Sequence, residues 1–135
     1  MKSIFSKIID KEIPCHLVAE DKFSIAFMDI NPITIGHILI VPKTQVDYLF
    51  DLDSETYHRL WKFSKLVERG LKKTISCKRI GISVIGFEVP HAHIHLIPIN
   101  KLDDMNFSNK IEISSLELST LAKKISTNST NSNTS

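Results

Sequence analysis

At 135 residues the chain is long enough for one domain with a packed core and too short for two ordinary ones. Apolar residues at 42% and charged residues at 24% exclude whole-chain disorder, and a formal charge of +2 without a basic run gives no electrostatic reason to expect nucleic acid polymers or anionic membranes. No signal-peptide pattern and no long apolar run is present, so a cytoplasmic protein is expected, with Cys15 and Cys77 as free thiols.

Ile4, Phe5, Ile8 and Ile9 share one face of a short helix predicted over 3–13, which Pro14 stops. Strands are predicted over 16–20 and 24–28, with Glu20-Asp21-Lys22 as the turn of a hairpin. Asp29-Ile30-Asn31-Pro32 is turn chemistry, and Gly36 ends the connection before an apolar strand over 37–41 that Pro42 closes. Tyr57, Leu60, Trp61, Ser64, Val67, Leu71 and Ile75 recur at spacings of three and four behind Asp53, which predicts a long N-capped helix over 54–75.

Two more strands are predicted, over 79–85 up to Gly86 and over 92–99, the second interrupted by Pro98. Ser114-Ser115-Leu116-Glu117 has capping-box spacing ahead of Leu118, Leu121, Ala122 and Ile125, so a shorter final helix follows. Residues 126–135 are wholly polar and low in complexity, and the expectation is one domain over 1–125 with a disordered polar tail. The glycosylation triplets that begin at Asn128 and Asn133 are accidents of that composition. Strands bunched in hairpins predict the α+β class, with a mainly antiparallel sheet of five strands.

The stretch "PHAHIHLIP" carries the chemistry. In an extended chain His91, His93 and His95 point to one face and Ala92, Ile94 and Leu96 to the other. Same-face side chains lie roughly 7 Å apart, close enough for one small ligand to touch two rings. Three buried imidazoles each need partners for their nitrogens, which makes a purely structural row unattractive. A metal site would need His37 or Glu88 brought near by the fold. Alternatively, a histidine whose other ring nitrogen donates to a fixed acceptor can attack phosphorus, while its neighbours bind the phosphate oxygens; His93, in the middle, suits that role.

This run resembles the His-φ-His-φ-His-φ-φ signature of the histidine triad (HIT) superfamily, most closely its Hint branch of nucleoside phosphoramidases. Three further blocks agree in order and spacing: Ile4-Phe5-Ser6-Lys7-Ile8-Ile9 with Glu12-Ile13-Pro14, Ala26 to Pro32, and Gly36-His37 leading to Ile40-Val41-Pro42-Lys43. The resemblance implies a HIT-like fold, a homodimer, and a site for purine nucleoside monophosphate derivatives of the AMP or GMP kind. It implies His93 as nucleophile, His95 and His37 around the phosphate, and His91 fixing the orientation of His93. Asp29 would accept the ribose hydroxyls, and Phe5, Ile13, Phe27 and Ile30 would line the base pocket. Gly86 keeps its place in the loop before the triad, and Glu88 falls beside the leaving group.

Departures from the pattern shape the expectation. Ser3, Ser6 and Gln45 stand where many bacterial relatives carry zinc ligands; hydroxyl and amide groups do not replace thiolates and imidazole, so no metal and no cofactor is expected. The ribose-contacting Asn of the loop before the triad is absent, and the segment after residue 100 does not match the family's usual ending. The expected function is a nucleotide hydrolase or transferase working through a nucleotidyl-histidine. The alternative is a nucleotide-binding regulatory or scaffold module with little turnover.

Overall fold

The computed structural model describes residues 1–132, and the side chains of residues 1–129. Helix α1 (Ile4–Ile9) is capped by Ser3, whose Oγ accepts the Ser6 N–H at 3.0 Å. It stops four residues short of the expected end because Lys11 adopts φ 65°, and the Glu12 N–H turns back to the Lys7 carbonyl at 2.8 Å.

Strands β1 (Leu17–Glu20), β2 (Ser24–Met28), β3 (Ile38–Pro42), β4 (Arg79–Ser83) and β5 (Ile94–Ile99) form one sheet in the order β1-β2-β3-β5-β4, with every pairing antiparallel. The expected α+β class is therefore the observed one. Helix α2 (Ser54–Thr74), capped by Asp53 Oδ1 on the Thr56 N–H at 2.8 Å, and helix α3 (Ser115–Ser132) cover one face.

Alternation in the strands sorts the core into two parts. Ala26, Met28, Ile38, Ile40, Ala92, Ile94 and Leu96 meet Leu60, Phe63, Val67 and Leu71 of α2 and Leu118, Ala122 and Ile125 of α3. Phe5, Ile25, Phe27, Leu39 and Val41 form a smaller cluster on the other face, beneath α1. Pro98 does not interrupt β5. The Ile99 carbonyl accepts the Lys78 N–H on the β4 side, so the Pro98 nitrogen faces the β3 side. There β3 has not yet begun, its first residue Ile38 being paired with Leu96, and no ladder bond is lost. Opposite Pro98 stands Gly36, at φ 95°, where a Cβ would come within 3.0 Å of Pro98 and Ile75.

Helix α3 runs on through residues 126–132, the first part of the expected polar tail. The cause lies on α2: Gly70 has no Cβ, and one placed there would strike Ser129 and approach the Ile125 carbonyl oxygen to 2.7 Å. The two helices thus meet backbone to backbone, Ser129 is buried, and Asn128 Nδ2 donates to Thr74 Oγ1 at 2.7 Å. Residues 133–135, the remainder of that expected tail, lie outside the described residues. No helix of the described residues is long and apolar enough to cross a membrane.

Candidate active site

His91, His93 and His95 emerge on the sheet face opposite α2, with Phe5 of α1 against them. The Phe5 ring centroid lies 5.8 Å from His91 and 5.0 Å from His93, and the His93 and His95 rings are 4.9 Å apart. His37, one residue before β3, reaches His95 across the β3–β5 pairing. All four imidazoles are buried.

Their partners assign the protons. His91 Nε2 lies 2.8 Å from the Pro42 carbonyl oxygen, which only accepts, so Nε2 carries hydrogen; Nδ1 meets Ser3 Oγ at 2.7 Å. His93 Nδ1 donates to the His91 carbonyl at 2.8 Å. Its Nε2 has no hydrogen-bond partner among the described residues, which leaves an in-plane lone pair available when the ring is uncharged. His37 Nδ1 accepts the Ile33 N–H at 3.2 Å, so its Nε2 donates to His95 Nδ1 at 2.9 Å. By elimination the uncharged His95 carries its proton on Nε2. The row therefore presents a bare nitrogen on His93 beside an N–H donor on His95.

Burial is the largest cause that holds His37, His91 and His95 below the ordinary imidazole pKa. The Asp29 carboxylate, with Oδ2 3.5 Å from His37 Nε2, opposes the shift at His37, whereas the positive charge of Lys110 adds to it at His37 and His95.

The remaining expected residues divide. Asp29 is half-buried and occupied: Oδ1 accepts the Asn31 N–H at 2.8 Å and Oδ2 faces His37. Phe5 and Phe27 belong to the buried cluster under the triad, with ring centroids 5.7 Å apart. Ile13 is half-buried and stands outside that cluster. Ile30 is 67% exposed and lines a surface cavity of about 480 Å³ with Asn31, Ile111, Ile113 and Glu117. Gly86 holds φ 83° in the loop before the triad, a conformation that favours glycine. Glu88, in the same loop, is exposed and makes no hydrogen bond or ion pair among the described residues.

Sequence reasoning missed two features. Phe107, from the segment between β5 and α3, lays its ring 5.0 Å from His95 and 6.1 Å from His37, and Lys110 Nζ sits 5.7 Å from the Phe107 ring centroid. Nothing in the loop's letters signals that approach. The second is the partnership of Ser3, Ser6 and Gln45: Gln45 Oε1 accepts from the Ser3 N–H at 2.8 Å and from Ser6 Oγ at 2.6 Å. This oxygen-rich donor set does not fit zinc, and it is spent on hydrogen bonds. Among the described residues, Asp29, His37 and His95 are a group that could hold a metal ion, with ligand atoms within 4.8 Å of one another. Its two imidazoles share a hydrogen bond.

Fold and site together define a class: an α+β protein in which an antiparallel strand and the segment that leads into it carry an alternating histidine row with opposite tautomers on its last two members. The chain belongs to the HIT-domain family, whose model matches residues 10–102. It is 37% identical over 134 residues to an uncharacterized HIT-like protein of Borreliella burgdorferi, covering 93% of this chain and 96% of that one. It is 34% identical over 106 residues to the purine nucleoside phosphoramidase of Escherichia coli, covering 71% and 86%. The crystal structure of a Hit-like protein from Bartonella henselae superposes with a TM-score of 0.82 at 33% identity, covering 94% of this chain and 96% of that one.

Proposed function

We propose that the protein is a nucleotide hydrolase that cleaves a nucleoside 5′-phosphoramidate, or a related adenylate, through a nucleotidyl-histidine on His93. One observation carries the reading: His93 Nδ1 is tied to the His91 carbonyl at 2.8 Å, which directs the lone pair to Nε2. In the first step His93 Nε2 bonds to the α-phosphorus, and the bond from phosphorus to the leaving amine breaks, the amine departing with a proton from solvent. In the second, water attacks phosphorus and gives up a proton to solvent, and the P–N bond to His93 breaks with its electron pair returning to Nε2, releasing the nucleoside monophosphate. His95 Nε2–H donates to a non-bridging oxygen as charge develops, and the charge of Lys110 favours the anion. The HIT-domain match and the likeness to a purine nucleoside phosphoramidase support this reading.

Asp29 would serve the ribose with the carboxylate that faces His37, and Phe5, Phe27, Ile13 and Ile30 would border the purine. Glu88 favours a leaving amine over a polyphosphate tail, since like charges about 4 Å apart cost roughly 1 to 4 kcal/mol depending on the effective dielectric. A homodimer belongs to the same proposal: β4 is an edge strand, and Ile82, Val84, Ile85 and Phe87 along and beyond it are exposed, Phe87 to 94%.

Trapping tests the mechanism. Incubation with a slow-leaving adenosine 5′-phosphoramidate should add one AMP to the peptide that contains residues 90–98. His93→Ala should lose the adduct and at least ~10³-fold in turnover. Full turnover in that variant refutes the covalent step; tight AMP binding without turnover in the unaltered protein would instead make the site a binding module.

A further inference from the structure

Ser3 stands at a junction. Its Oγ accepts the Ser6 N–H at 3.0 Å as the cap of α1, and the same oxygen lies 2.7 Å from His91 Nδ1, 88 positions along the chain. The Pro42 carbonyl oxygen on Nε2 fixes the His91 proton there, so the uncharged ring has only a lone pair to offer at Nδ1. The proton in the short contact with Ser3 must come from the Ser3 hydroxyl. Ser6 Oγ, at 3.5 Å from the same nitrogen, is the poorer donor, and its own proton goes to Gln45 Oε1 at 2.6 Å.

Gln45 completes the frame. Its Oε1 also accepts the Ser3 N–H at 2.8 Å, and its Nε2 donates to the Met1 carbonyl at 2.8 Å. Every polar atom of Ser3, Ser6 and Gln45 in this frame has a partner consistent with one arrangement of protons. The arrangement ends at the His91 ring, whose own backbone carbonyl is the acceptor for His93 Nδ1.

We infer that Ser3 is a positioning residue for His93: its hydroxyl proton holds His91 in the Nε2–H tautomer and so fixes the carbonyl that orients the His93 ring. The inference rests on the proposed nucleophilic role of His93 for its effect on rate, and on geometry alone for its effect on His91. Capping and relaying are separable by substitution. Thr at position 3 can cap and donate. Asp can cap, since its carboxylate accepts the Ser6 N–H, but it has no proton to give to Nδ1.

The test measures Ser3→Thr and Ser3→Asp against the unaltered full chain, with kinetics on adenosine 5′-phosphoramidate, urea unfolding, and ¹⁵N resonances of labelled histidines. The unaltered protein and Ser3→Thr should show His91 protonated on Nε2 only, with turnover within about threefold. Ser3→Asp should unfold at a similar urea concentration, show His91 protonated on both nitrogens, shift the His93 Nδ1 resonance, and lose at least ~tenfold in kcat with KM nearly unchanged. Equal kcat in Ser3→Asp, or an unmoved His91 resonance, overturns the inference. Should the unaltered protein fail to hydrolyse the phosphoramidate, the hydrolase reading falls, and the histidine resonances of the resting protein still decide the role of Ser3.

Discussion

His37, His91 and His95 are buried, and His37 and His95 each have one nitrogen that accepts a hydrogen bond, so the fold favours the uncharged rings. Protonating His95 Nδ1 would set two N–H groups against each other across 2.9 Å, and protonating His37 Nδ1 would do the same toward the Ile33 amide at 3.2 Å. Burial lowers the pKa of both rings, and at His95 the neighbouring His37 adds to it. In the unfolded chain these histidines take up protons below about pH 6.5, whereas the folded chain resists until lower pH. The unfolded state then binds more protons, so the stability present above pH 6.5 is lost as the pH falls below it. Each depressed histidine contributes at most about 1.4 kcal/mol per pH unit to that slope. Urea midpoints should therefore decline steadily from pH 7 to pH 5, and His37→Gln should decline less steeply; an equal slope in the variant would assign the protons elsewhere.

At the scale of elements, the residues that end or begin a helix were legible where the signal is local. Asp53 caps α2 and Ser114 Oγ accepts the Glu117 N–H at 3.1 Å, each through a side chain that reaches three residues ahead. The continuation of α3 was not legible, because nothing in its polar letters favours a helix; the reason is Gly70, on another element. Gly70→Ala raises intrinsic helix propensity by about 1 kcal/mol but drives a methyl group into Ser129 and the Ile125 carbonyl. The collision should win, with a net loss of about 1 to 3 kcal/mol in urea unfolding. A gain in stability would mean that α3 does not hold this position. Pro98 is the converse case: a residue that breaks a strand in isolation is harmless where its missing N–H faces a position, here Gly36, that lies outside the strand ladder.

At the scale of the whole molecule, the sheet has one face under two helices and one face given to the histidines, and that division is what binds chemistry to fold. The larger cluster packs the strands against α2 and α3, while Phe5 and Phe27 support the row from the other side. The β4 edge is left over, with Ile82 exposed on it. If this edge joins a second copy, light scattering should give twice the chain mass, and Ile82→Lys should give the monomer without loss of helical signal. A dimer that persists in the variant would place the interface on another surface.

The sequence by itself determined the alternation of the histidine row, the blocks that mark the HIT family, the five strands, and the caps of α2 and α3, because each depends on residues within a few positions of one another. Only the tertiary structure decided which nitrogen of His91 and of His95 carries hydrogen, since the deciding partners, Pro42 and His37, come from elsewhere in the fold. It alone set Phe107 and Lys110 at the site and folded residues 126–132 into helix, for contacts between distant segments are fixed by packing and leave no local trace in the letters.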